Sequence, residues 1–163
     1  RVRWAAENDP CLADMGCTVA AAIARGSRVE VVRAGDSRAY RYSAGRLEQL
    51  TADHTWVNAI AKAADLSEAD IRRHPKRHVL TKAVGVEREV APETVSSSFQ
   101  PGDILLLCSD GLHGVASPAA IAGALGRAGS LQDKARWLID ATLTLGAPDN
   151  VTVMLARHAG AQR

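Results

Sequence analysis

Apolar and polar positions divide the chain into a strand-like first third, a helical interruption, and a second half that mixes the two. Val19–Ala24 is apolar enough to read as helix or buried strand; Gly26-Ser27 and the strand-like Val29–Ala34 behind it favour a hairpin. Ala34-Gly35-Asp36 breaks that second strand. Alternation resumes over Ser37–Tyr42, with Tyr40 and Tyr42 on one face and Arg41 on the other, and Ala44-Gly45 turns into a short strand at Arg46–Leu50. The first third therefore reads as one antiparallel meander. Upstream of it, Arg1–Asn8 reads as the end of a helix stopped by Asn8-Asp9-Pro10.

From Asp53 the spacing becomes helical, with Trp56, Ile60 and Ala63 recurring on one side. A second helix starts where Ser67 and Asp70 have capping-box spacing and Leu66 and Ile71 that of a hydrophobic staple; Pro75 ends it. Leu80–Gly85 is a short element, and Val90–Phe99 a polar-faced strand. Ile104–Cys108, five apolar residues between Pro-Gly-Asp and Ser-Asp-Gly, reads as a strand buried on both faces. Ser117-Pro118 opens a helix that fades at Gly126–Gly129. Ser130 with Asp133 caps another, whose Leu131, Ala135, Leu138 and Leu145 lie roughly on one side, and Gly146 closes it. Pro148-Asp149-Asn150 leads into the last strand, ending near Leu155.

Composition changes this picture little. The 163 residues, 47% hydrophobic and 23% charged, suit one domain with a sizeable core. A net charge of +2 is too small to argue for nucleic acid or an anionic membrane as partner, so neither is expected, and no apolar run approaches the roughly 20 residues of a membrane span. Cys11, Cys17 and Cys108 are odd in number and lack paired metal-ligand spacing; they read as small buried hydrophobes in a reducing compartment, the cytoplasm. The opening Arg1-Val2-Arg3-Trp4 has neither initiator Met nor signal-peptide pattern, as expected of a piece of a longer protein.

Candidate chemistry comes from aspartates at strand ends. Asp110 stands at the exit of Ile104–Cys108, where Gly111 allows a tight turn; Asp36 follows Gly35 at the end of Val29–Ala34; Asp149, with Asn150, precedes Val151–Leu155. Three such strands can bring carboxylates to one rim of a sheet. Two carboxylates about 5 Å apart repel by roughly 3 kcal/mol at an effective dielectric of 20, so the cluster calls for a cation. Its donors are hard oxygens, without Cys or His in zinc-like spacing, which suits Mg²⁺ or Mn²⁺. Between Ile71 and Val86 the chain carries Arg72, Arg73, Lys76, Arg77 and Lys82 without an acid, and His74 and His78 beside them. This is either a solvated loop or a basic lip that attracts an anionic substrate. The two histidines read as surface charge rather than as catalysts.

Six motifs in order carry a family resemblance: Met15-Gly16-Cys17-Thr18, Gly35–Tyr40, Gln49–His54, Leu80–Gly85, Gly102–Gly111 and Asp149–Val153. The chain resembles the metal-dependent serine/threonine protein phosphatases of the type 2C class, bacterial branch, in the carboxy-terminal two-thirds of their domain. That resemblance implies an α+β fold, a sandwich of two antiparallel β-sheets flanked by helices (α-β-β-α), here lacking the amino-terminal part. Residues 1–163 would then be a partial catalytic domain, with about 53–78 as the mobile flap beside the active site. It implies a dimetal site of Mn²⁺ or Mg²⁺, with Asp110 and Asp149 on the core ions and Asp36 helping Asp110 to hold a third, and with Gly35, Gly111 and Asn150 as neighbours of the site. The implied substrates are proteins phosphorylated on Ser or Thr, in opposition to a Ser/Thr protein kinase, and Arg72, Arg73 and Arg77 are candidate substrate contacts.

The family's amino-terminal Arg that binds phosphate, its Glu or Asp ligand and its bridging Asp-Gly do not occur before Met15, so catalytic residues are expected upstream of Arg1 and none within this chain. Cys17 stands where the family commonly has Thr or Ser. Three readings follow. One is a protein phosphatase in which two metals activate the attacking water. Another is a non-catalytic regulatory or binding module from a degenerate relative. The third, an aspartyl-phosphate enzyme, would want an Asp-x-Asp after its first strand, which is missing. Retention of three costly carboxylates favours the first.

Overall fold

A computed structural model describes residues 1–61, 63–86 and 89–160, and only the backbone at Glu68 and Arg72. Among these, helix α1 (Val2–Asn8) and a 3₁₀ turn (Pro10–Leu12) precede strands β1 (Val19–Arg25), β2 (Arg28–Ala34), β3 (Arg38–Ser43) and β4 (Arg46–Gln49). Helices α2 (Trp56–Ala61) and α3 (Glu68–Arg73) lead to β5 (Glu93–Ser98) and β6 (Ile104–Cys108). Then come α4 (Asp110–His113), α5 (Pro118–Gly126), α6 (Leu131–Thr144) and β7 (Val153–Arg157). The local signals act as expected: Ser67 and Ser130 each close a reciprocal capping box, with Asp70 and Asp133, and Ser117 caps α5 through the Ala120 N–H.

The strands form two antiparallel sheets, β1-β2-β5 and β4-β3-β6-β7. The expected single meander is therefore corrected: β2 and β3 belong to different sheets. Gly35, at φ +104°, turns the chain from one sheet to the other, and a Cβ there would lie 2.4 Å from Thr18 Cγ2. Two period-2 segments in succession say nothing about which sheet each joins.

β6 is buried on both faces. Ile104, Leu106 and Cys108 pack with Tyr40, Leu112, Ile121, Leu125 and Leu138 under the helices, while Leu105 and Leu107 join Val29, Val31, Ala39 and Phe99 between the sheets. Burial pushes the Cys108 thiol up to about 12, which keeps it a neutral apolar filler. Cys11 and Cys17 are exposed, contrary to expectation, because they lie in the segment before β1 rather than in a core strand. The inward face of α6 also differs: Lys134, Leu138 and Thr142 are buried, and Leu145 is 58% exposed just past the helix end. Lys134 Nζ donates to the carbonyls of Leu125 and Arg127, groups left free at the end of α5, which satisfies the buried ammonium.

Candidate metal centre

The site lies where β6 ends and the two sheets meet. Ser109 is the N-cap of α4, so Asp110 is the first helical residue, close to free backbone N–H groups. Gly111 sits against the Asp149-Asn150 loop so closely that a Cβ would lie 2.2 Å from Asn150 O. Ser109 ties that loop down: its N–H donates to Thr152 O at 3.2 Å, and its Oγ accepts from Thr152 N–H at 2.9 Å. Backbone contact thus brings the chain of Asp149 to the start of α4. The Asp149 side chain itself is exposed, and its Oδ1 accepts the Asn150 N–H at 2.6 Å.

Asp36 is brought to Asp110 directly. Its carboxyl is raised above the ordinary range by burial first and by the Asp110 carboxylate next. The turn that carries it is clamped from three sides. His113 Nε2, one α4 turn beyond Asp110, lies 3.0 Å from Asp36 O; Thr18 Oγ1 and Ser37 Oγ share a hydrogen bond of 2.7 Å; and the Gly35 N–H donates to His54 Nδ1 at 3.1 Å. Burial holds the His113 imidazole below its usual range, with Arg38 adding to the effect.

Beside this pair lies a cavity of about 110 Å³ lined by Asp36, Arg38, Asp53, Arg77, Asp110 and His113, among others. Arg38 grips Asp53 with two parallel hydrogen bonds, Nε to Oδ1 and Nη2 to Oδ2, both 2.7 Å, and its Nη1 donates to Tyr40 OH at 2.9 Å. Burial works against the Arg38 charge, but Asp53 and Tyr40 outweigh it and hold the guanidinium above its ordinary value. Arg38 is thus the ion-pair partner of Asp53. None of the described ion pairs includes Asp36 or Asp110. Two partly buried carboxylates on one cavity, neither in a described ion pair, are a hard-oxygen donor pair that fits a divalent ion. Among the described residues, no group of three or more His, Cys, Asp or Glu side chains is placed to hold a metal. The geometry therefore joins Asp36 to Asp110 and leaves Asp149 adjacent through backbone alone.

Arg77 and His78 line the same cavity from the segment after α3, whereas Arg73 is exposed away from it and the side chain of Arg72 lies outside the described residues. Lys76 sits over the Trp56 ring, 4.7 Å from its centroid, and the His74 ring lies 5.5 Å from it, so the basic turn is pinned to α2. Sequence reasoning passed over His54, Arg38, Asp53 and His113 as parts of the site. The Gly35–Tyr40 and Gln49–His54 motifs held three of them, but their partners lie far off in sequence and no local pattern marks the pairing.

No family model matches the chain. It is 38% identical over 153 residues to the serine/threonine phosphatase stp of Listeria welshimeri, covering 94% of this chain and 61% of that protein. Among solved structures it is similar to the serine/threonine phosphatase Stp1 from Staphylococcus aureus, with a TM-score of 0.92, 30% identity, and coverage of 98% of this chain and 63% of that one. It is similar also to the catalytic domain of the serine/threonine protein phosphatase PstP in complex with two manganese ions, with a TM-score of 0.84, 33% identity, and coverage of 96% and 64%. The chain thus spans about three-fifths of the length of such relatives. With the two-sheet sandwich, the aspartates at its strand ends and these likenesses together, the chain belongs to the metal-dependent serine/threonine protein phosphatases of the type 2C class.

Proposed function

We propose that this chain is the carboxy-terminal part of a type 2C domain that removes phosphate from phosphoserine and phosphothreonine in proteins. The observation that carries the reading is the Asp36–Asp110 pair, half-buried, mutually repelling and outside every described ion pair. Asp110 and Asp149 would hold core Mn²⁺ or Mg²⁺ ions, and Asp36 with Asp110 a third; the relative seen with two manganese ions supports Mn²⁺. Such ions, when bound, supply the Lewis acidity that activates a water and neutralises phosphoryl oxygens. The chain's own residues do the rest. Arg38 pairs with Asp53 and holds that carboxylate in place, His113 and Thr18 fix the turn of Asp36, and Arg77 at the cavity offers a cation to a phosphorylated peptide.

Partners on this reading are phosphoproteins made by a Ser/Thr kinase. The cytoplasm is the compartment we infer, supported by two exposed free cysteines. Among the described residues no helix is long and apolar enough to cross a membrane. A non-catalytic regulatory module is the second reading, and the lack of a three-donor group among the described residues is what favours it. Assay of the whole protein, with the residues that precede Arg1, separates the two: with Mn²⁺ it should release phosphate from phosphothreonine peptides. The 163 residues alone should not exceed background on p-nitrophenyl phosphate. An inactive whole protein supports the module, and turnover by the isolated chain contradicts the placement of catalytic groups upstream.

A further inference from the structure

His54 is buried, 7% exposed, and holds the two peptide units that flank Gly35. Its backbone N–H donates to Gly35 O at 3.0 Å, and its ring Nδ1 accepts from the Gly35 N–H at 3.1 Å. A ring nitrogen that accepts from a backbone N–H carries no proton, so the neutral ring is protonated at Nε2. That Nε2 lies 3.0 Å from Glu93 Oε1, although off the line of a well-formed hydrogen bond. Glu93 is itself held on both oxygens, by Lys82 Nζ on Oε1 at 2.7 Å and Arg33 Nη2 on Oε2 at 2.6 Å, and Arg33 Nη1 also donates to Ala52 O. Three pieces of the fold therefore converge on the ring: β2 through Arg33, β5 through Glu93, and the segment before it through Lys82.

Resting on the proposed function, we propose that His54 is a positioning residue for Asp36. Its Nδ1, kept as an acceptor by Glu93 at the opposite nitrogen, fixes the Gly35 peptide and so aims the Asp36 carboxylate at the cation shared with Asp110. The need for such a hold is local. Gly35 has φ +104° and no side chain, so the peptide on either side of it can rotate at little cost unless its N–H and C=O are both engaged. His54 engages both. Loss of a group that orients a metal-binding side chain without touching the metal typically costs about 10–100-fold in metal affinity.

Three variants and one spectrum test this in the whole protein. In uniformly ¹⁵N-labelled protein, a scalar coupling should be seen between the Gly35 nitrogen and His54 Nδ1 across the N–H···N bond; its absence overturns the proposal without any substitution. Mn²⁺ is then titrated calorimetrically into the unmodified protein and into His54→Asn, His54→Gln and Asp36→Asn, with thermal unfolding of each metal-free form. Asn places an amide oxygen where Nδ1 stood, whereas the Gln amide reaches the position of Nε2. His54→Asn should bind within about threefold of the unmodified protein, while His54→Gln should weaken, by about tenfold or more, the same ion that Asp36→Asn weakens. If His54 only fills space, the two variants bind alike, and that result overturns the proposal. Should His54→Gln not fold, the coupling decides alone. A coupling and graded Mn²⁺ binding in a protein without phosphatase activity would refute the proposed function and keep this inference. An active enzyme lacking the coupling would do the reverse.

Discussion

Replacing Arg38 with Ala removes the cation that separates Asp53 from the two metal-binding candidates beside it. Its side chain is 23% exposed and that of Asp53 10%, and they share two hydrogen bonds of 2.7 Å. Removing one partner of a fully buried pair costs about 3–5 kcal/mol, chiefly because the other charge stays buried. With the Arg38 side chain partly in solvent, the cost here is set at about 2–3 kcal/mol after screening. For a chain of this size that lowers the Tm by about 4–12 °C. Asp53→Asn alone should cost less, because Arg38 retains Tyr40 OH and some solvent. The double variant Arg38→Ala/Asp53→Asn should recover much of the loss, giving a coupling of about 1–2 kcal/mol in a double-mutant cycle. Urea unfolding followed by tryptophan fluorescence measures each corner of the cycle, in excess EDTA so that metal binding does not contribute. Strictly additive single effects, with coupling below about 0.3 kcal/mol, would refute the assignment of Arg38 as the counter-charge of Asp53.

Four further outcomes follow from the same geometry. Glu93 is held down to about 2, from an ordinary 4.5, by Lys82 first and by His54 and Arg33 next, so its stabilising effect is complete above pH 4.5 and is lost as pH falls from there toward 2. His54 is held below its ordinary 6.5 by burial first and Arg33 next; the unfolded chain takes up a proton below pH 6.5 that the folded ring resists, so urea midpoints should begin to fall there, and a flat profile down to pH 4.5 would contradict it. Gly111→Ala, whose Cβ would meet Asn150 O at 2.2 Å, should cost about 1–3 kcal/mol in urea unfolding and raise the Mn²⁺ needed for half-maximal activity, while an unchanged variant would show that the Asp149 loop is not fixed by this contact. Arg73→Ala/Arg77→Ala should raise KM for phosphopeptides about threefold to fivefold at low salt, less at high salt, and leave kcat on p-nitrophenyl phosphate unchanged; a collapse of that kcat would place Arg77 in the catalytic apparatus.

Elements whose signals are local were legible from the sequence. The capping boxes at Ser67 and Ser130, the Ser117 cap and the doubly buried run Ile104–Cys108 each rest on residues within a few positions of one another. What depended on distant partners was not. Alternation on either side of Gly35 looks the same whether the strands share a sheet or lie in two, and only the φ of +104° against Thr18 decides it. Lys134 reads as a surface charge until the carbonyls of Leu125 and Arg127 are placed over it. Asp36, Asp110 and Asp149 could be named as candidates because each stands at the end of an apolar strand, and the family resemblance put Asp36 with Asp110. Arg38, His54 and His113 could not be placed around them, since a polar residue in a strand or loop carries no mark of the group it will meet across 15 to 77 residues. Convergence of the Asp149 carboxylate on Asp110 was the expectation; the contact seen there is between the Asn150 backbone and Gly111.

Manganese anomalous diffraction from crystals of the whole protein grown with Mn²⁺ tests the central claim directly. The account predicts peaks within coordination distance of Asp110 and Asp149, and a further, weaker peak between Asp36 and Asp110. Crystals of active protein with no peak against Asp110 would contradict it.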